Sequence, residues 1–152
     1  MKYGIICAME EEIKELRTQL THSTEKTLGG IAFYEGQLNG HTVVLVRSGI
    51  GKVQAGVTTA LLIVEFGVDH LINSGSAGGI GTGLSVGDVV FSTGAAYHDA
   101  DATAFGYLPG QLPQQPQIYP ADEKLVHALE KAAKKADLTT KTGLIVTGDQ
   151  FV

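Results

Sequence analysis

Apolar residues along the chain fall into short unbroken runs and stripes at helical spacing, and the two alternate. Tyr3 to Cys7 (YGIIC) is an unbroken run, the mark of a strand covered on both faces and therefore central in its sheet. Met9, Ile13, Leu16 and Leu20 recur every three or four residues and form one buried stripe on a helix. Ile31 to Glu35 and Thr42 to Arg47 flank GQLNGH, whose Asn39-Gly40 pair predicts a hairpin of adjacent antiparallel strands. A helix follows from about Lys52 to Phe66, ended by Gly67.

Beyond it, HLINSGSAGGIG (His70 to Gly81) starts, with Val68 before it, as a buried strand and turns after Asn73 into a Ser and Gly run that no strand interior tolerates. Val86 to Thr93 reads as another strand, with Ala95 to His98 extending the sheet. From Asp99 to Pro120 the chain holds all four prolines and no periodic pattern, and irregular segments of that length tend to be functional or to cross to a neighbouring subunit. Asp122 to Ala136 is an amphipathic helix with Leu125, Leu129, Ala132 and Ala136 on one side and lysines spread over the rest. Thr142 to Val146 is the last strand, and it runs into Thr147 to Val152.

Alternating strands and helices make the fold α/β, with the 152 residues forming one domain. In open α/β sheets ligands sit outside the carboxyl ends of the strands. Four segments follow strands here: Met9 to Glu12, Ser48 to Gly51, Ser74 to Gly79, and Gly148 to Val152. If those strands are parallel, the four meet on one sheet edge, which then holds a carboxylate, glycine backbone, a hydroxyl and the apolar or aromatic Met9, Ile50 and Phe151. That mixture suits a flat, neutral, partly polar ligand such as a base with a sugar. Glu10, Glu11 and Glu12 also have a plain reading, since carboxylates are stabilised in the first turn of any helix.

Composition narrows the partners. The net charge of -5, from 16 Asp and Glu against 11 Lys and Arg, leaves no basic stripe for a phosphate backbone, so no nucleic-acid partner is expected. The single cysteine, Cys7, excludes a disulfide framework and a cysteine zinc site, and a reducing cytoplasm fits best. No stretch approaches the roughly 18 to 20 apolar residues of a membrane span, and the N-terminus lacks a signal-peptide pattern. The phosphate-loop motif fails because Val46 and Val53 stand where it needs Gly and Ser or Thr. The dinucleotide fingerprint fails at Gln54 and Leu84, and the serine-hydrolase elbow at Ser74. His98, Asp99 and Asp101 could be drawn as a metal cluster, but the other four histidines lack ligand spacing. Hydrogen bonding that pins the loop is the expectation, with no metal.

Six stretches spread over the whole chain, GIICAMEEE, SGIGKV, NSGSAGG, VGDVV, YHDADATAFGY and GLIVTGDQF, closely resemble the bacterial 5'-methylthioadenosine/S-adenosylhomocysteine nucleosidase family. The resemblance implies the three-layer nucleoside-phosphorylase type of α/β fold, a mixed central sheet flanked by helices, assembled as a homodimer. It also implies hydrolysis of the N-glycosidic bond to adenine without metal or organic cofactor. By position, Glu12 looks like the general base that activates water. Ser76, Ala77 and Gly78 look like the loop under purine and sugar, with Ser76 orienting the group that protonates the base. Phe151 would stack on adenine and the backbone of Val152 would read its edge, while Met9 and Ile50 line the ribose and thioether side. Phe105, Tyr107 and Pro113 resemble residues that a dimer partner contributes around the 5'-alkylthio group, and Ala102 takes a place where the family carries a larger apolar residue.

Family members continue well beyond Val152, and that part, with a Met-Glu pair for the ribose hydroxyls and the aspartate that protonates adenine, is absent from this sequence. The chain therefore corresponds to the N-terminal two thirds of a nucleosidase domain. Loss of one positioned acid costs about 10² to 10⁴ in rate, so the chain alone is expected to be at best weakly active. Two other readings remain: a purine nucleoside phosphorylase, which transfers ribose to phosphate, and a catalytically silent nucleoside-binding fragment. Against the former, Met9 to Glu12 places acid where a phosphate site would want Arg and backbone N–H.

Overall fold

A computed structural model describes residues 1–151; the expectation for Val152 lies outside the described residues. The chain divides into two compact units, Met1–Ala77 and the residues from Gly78 onward, each described by itself.

The first unit contains β1 (Lys2–Cys7), α1 (Glu10–Gln19), β2 (Thr21–Leu28), β3 (Ile31–Leu38), β4 (His41–Arg47), α2 (Lys52–Phe66) and β5 (His70–Asn73). Its mixed sheet has the order β2-β3-β4-β1-β5, with β1 parallel to both β4 and β5, and β3 antiparallel to β2 and β4. The YGIIC run is thus interior, as its apolar pattern predicts. Asn39 and Gly40 take φ of 48° and 81°, the paired left-handed residues of a tight hairpin whose twist matches its strands.

Four consecutive buried residues of β4 show why the unit has three layers. Val43 and Leu45 pack with Cys7, Ile13 and Leu20 on the α1 face; Val44 and Val46 pack with Ile6, Phe33, Leu62 and Phe66 on the α2 face. Successive strand side chains point to opposite faces, so a strand with no polar position demands a helix on each side. Phe33 and Phe66 stack with ring centroids 4.8 Å apart, joining sheet to helix. Gly67, at φ 60°, ends α2 in the left-handed conformation, its N–H donating to the carbonyls of Leu62 and Ile63.

In the second unit, β6 (Val89–Tyr97) lies between β7 (Tyr119–Pro120), antiparallel to it, and β8 (Thr140–Thr147), parallel to it. Helix α3 (Glu123–Lys135) packs against β6 and β8, and the Asp122 side chain caps it by accepting from the Leu125 N–H at 2.9 Å.

Several details depart from the sequence pattern. β5, expected as a buried strand, lies at the edge of its sheet with Leu71 and Asn73 exposed. β2 was not expected: its THSTEKT stretch is exposed throughout and carries no alternation, as suits a polar edge strand. Val86 lies outside the expected strand, fully exposed in the turn before β6, and Val89–Tyr97 forms one strand instead of two pieces. On α3 the buried alanine is Ala133, while Ala132 and Ala136 are exposed. Finally, β8 pairs with β6 in a separate sheet, so of the four strand-following segments only three share one sheet edge.

Candidate active site

Because β4, β1 and β5 are parallel and in register, with Cys7 opposite Arg47 and Ile6 opposite Asn73, their carboxyl ends finish together. Two hydrogen bonds fix how the chain leaves that edge. The Ser48 N–H donates to the Cys7 carbonyl at 2.8 Å, and the Ser74 N–H donates to the Ile6 carbonyl at 3.0 Å. The Ser48 hydroxyl, buried, also donates to the Cys7 and Gly49 carbonyls.

Glu12 is the centre of this edge. It is the third residue of α1, and its Oε2 accepts the N–H groups of Ala8 at 2.9 Å and of Met9, the helix N-cap, at 3.0 Å. That satisfies backbone donors which the helix start leaves unpaired. Its Oε1 accepts both the N–H and the hydroxyl of Ser76, each at 2.9 Å. Burial by itself would raise the pKa of Glu12, but the donors of Ser76, Met9 and Ala8 outweigh it and hold the pKa below the ordinary glutamate value. At neutral pH the group is a carboxylate, with a donor on each available side.

The other two acids of this turn are used differently. Glu10 pairs with Arg17 at 2.6 Å and stands 3.9 Å from Arg47 at the end of β4, and Glu11 is exposed. The Cys7 thiol behind the edge is pushed up to about 11, first by burial and then by the nearby Glu12 charge. It therefore stays a neutral thiol and offers no nucleophile.

Of the residues singled out in the sequence, the first unit brings Glu12, Met9 and Ser76 into direct contact. Ile50 sits on the loop after β4 and is 61% exposed. Ala77, which closes the first unit, and Gly78, which opens the second, are exposed. In the second unit Phe151 is 90% exposed beyond β8. Ala102 is buried at the start of a short 3-10 turn, Thr103–Phe105, whose Phe105 is 82% exposed; Tyr107 is half-buried and Pro113 exposed.

Side-chain hydrogen bonds pin the start of the long loop, as the sequence suggested. Asp101 accepts the Thr103 N–H at 2.9 Å and hydroxyl at 2.7 Å, and Asp99 accepts the Asp149 N–H at 2.9 Å. Among the described residues no group of three or more His, Cys, Asp and Glu is arranged to hold a metal ion, and no helix is long and apolar enough to cross a membrane. Two participants escaped the sequence reading. The Ala8 N–H has no side-chain signature, and Gly75 is one glycine among several in its loop.

A three-layer α/β unit with a donor-saturated carboxylate at the carboxyl edge of its parallel strands defines the class, and the chain belongs to the phosphorylase superfamily, whose family model matches residues 2–152. Within that class it is similar to nucleosidases. It is 50% identical, over all of its length, to the 5'-methylthioadenosine/S-adenosylhomocysteine nucleosidase of Actinobacillus succinogenes, and covers 66% of that protein. The nucleosidase of Neisseria meningitidis, solved in complex with methylthio-immucillin-A, superposes with a TM-score of 0.97 at 48% identity, over 99% of this chain and 66% of that one. The Colwellia psychrerythraea nucleosidase, solved in complex with adenine, gives 0.96 at 48% identity, over 99% and 63%. The chain thus spans just under two thirds of the length of these relatives.

Proposed function

We propose that this protein hydrolyses the N-glycosidic bond of 5'-methylthioadenosine and S-adenosylhomocysteine, releasing adenine and the 5'-thio-ribose, in methionine salvage and the methyl cycle. The observation that carries the reading is the ionised carboxylate of Glu12, held by donors from two segments at the edge where α/β sheets bind ligands. As the bond to adenine breaks, the ribose takes on oxocarbenium character, and a fixed negative charge is worth more beside that cation than beside the neutral substrate. The same carboxylate is the group to take a proton from the attacking water. One of its lone pairs has to be released for that. The Ser76 hydroxyl can rotate to another acceptor, whereas the three N–H donors are fixed by backbone.

The roles implied by family resemblance extend the proposal: Ser76, Ala77 and Gly78 under the nucleoside, Met9 and Ile50 on the sugar side, Phe151 and Val152 on adenine, and Ala102, Phe105, Tyr107 and Pro113 toward a dimer partner; none of them is assigned to protonate the departing adenine, so release by this chain is expected to be weak. Both units then belong to one nucleosidase domain. A homodimer is supported by α2, whose outer face carries Val53, Val57, Ala60 and Val64 in one exposed apolar stripe. A cytoplasmic setting is supported by the single, unpaired and buried Cys7.

The test is release of adenine from 5'-methylthioadenosine in phosphate-free buffer by the wild-type chain and Glu12→Gln side by side. Release that falls by about 10² to 10⁴ in the variant supports hydrolysis with Glu12 as base. Equal release from both removes Glu12 from that role. A sugar 1-phosphate formed on adding phosphate makes the protein a phosphorylase. Adenine binding by calorimetry, with no release from either, supports a nucleoside-binding fragment.

A further inference from the structure

Gly75 lies between Asn73-Ser74 at the end of β5 and Ser76, and its backbone is outside the left-handed region, so its own conformation does not require glycine. What requires it is Glu12. A Cβ built on Gly75 would stand 2.9 Å from Oε1, 3.0 Å from Cδ and 3.1 Å from Oε2 of that carboxylate, closer than carbon atoms settle in a packed interior. A free glutamate would swing aside at small cost. Glu12 is restrained, because its two oxygens are held by four donors on two chain segments, and movement away from residue 75 lengthens bonds to Ser76 or to Ala8 and Met9.

We propose that Gly75 is a positioning residue for Glu12: its missing side chain leaves the volume the carboxylate fills, and so lets donors from the β1 end and the β5 end reach one group together. The catalytic consequence rests on the function proposed above, but the geometric claim does not. A methyl group at 75 displaces the carboxylate by several tenths of an ångström, enough to lengthen the Ser76 pair while leaving the backbone path unchanged.

The experiment compares wild type, Gly75→Ala, Glu12→Ala and the double variant by thermal melting, and follows the Glu12 carboxyl by carbon-13 NMR titration in the two proteins that retain it. Gly75→Ala is expected to lower the melting temperature by at least about 3 °C when Glu12 is present and to change it by no more than about 1 °C when Glu12→Ala has emptied the space. The Glu12 titration is expected to move up toward that of an ordinary glutamate. An equal loss in both backgrounds, failure to fold in both included, or a Glu12 titration unmoved by Gly75→Ala, overturns the proposal. Neither readout depends on turnover, so a chain that releases no adenine counts against the hydrolase reading alone.

Discussion

Ser76 donates twice to a single oxygen of Glu12, through its backbone N–H and its hydroxyl, each at 2.9 Å and across 64 residues of chain. The other oxygen of the same carboxylate holds the N–H groups of Ala8 and Met9. One side chain thereby ties the loop after β5 to the start of α1, and the tie sits where the parallel strands end. The contact is structural and chemical together, since the donors that fix the loop also keep the carboxylate ionised.

Ser76→Ala separates the two bonds, because it removes the hydroxyl and keeps the N–H. Ser76 is exposed, so the lost bond is worth about 1 kcal/mol or less in urea denaturation. The Glu12 pKa should rise yet stay below the ordinary glutamate value, since three of its donors remain. Adenine release should fall less than in Glu12→Gln. A titration identical to wild type would mean that the hydroxyl does not hold the carboxylate in solution.

Acid stability follows from the direction of the Glu12 shift. Its pKa in the folded protein lies below the unfolded value of about 4.3, so ionised Glu12 contributes its full stabilisation above roughly pH 5 and loses it as pH falls through the folded value. Asp69, Asp88 and Asp101 are lowered as well, by hydrogen bonds from Lys2, from Ser85 and Lys141, and from Thr103, and they act with the same sign. Total stability therefore drops in acid for several reasons. The difference between wild type and Glu12→Gln isolates one of them: about 1 to 3 kcal/mol at pH 7, where the NH2 end of the Gln amide meets backbone donors it cannot accept, shrinking as pH falls below about 5. Urea midpoints measured across that range check it, and a constant difference would assign the depressed pKa to other groups.

How far the sequence carried this arrangement depends on the range of each interaction. Asn39-Gly40 and Gly67 announced their turn and helix end because the backbone at those positions admits few residues. The YGIIC run announced an interior strand because neither of its faces can meet water. β2 was silent, since an edge strand that is exposed throughout keeps no alternation to read. On α3, alanines at 132, 133 and 136 are too alike for spacing to choose the buried one. Membership of β8 in a second sheet lay outside any local pattern, because hydrogen-bond partners are chosen by topology. Glu12 was legible as a helix-start acid, and its bond to Ser76 was not. That bond needs β1 and β5 to be neighbours, which only the assembled sheet decides.

Helix α2 is apolar on two sides. Its inner side, Thr58, Leu62 and Phe66, is buried against the sheet, yet Val53, Val57, Ala60 and Val64 repeat at helical spacing on the outside, with Val53 and Val64 both more than three-quarters exposed. A helix apolar on both sides is stable in water only if something covers the second side. If a second copy does so, residue 57, in the middle of the stripe, meets its counterpart near the twofold axis of the pair. Val57→Asp would then place two like charges in an apolar contact, and association should weaken by about 2 kcal/mol or more. Sedimentation velocity should show a dimer for wild type and a monomer for the variant at the same concentration. The monomer should keep the wild-type circular dichroism spectrum, because Val57 faces away from the core. A dimer unaffected by the charge would move the interface off α2, and a wild-type monomer at all concentrations would remove the dimer from the functional proposal.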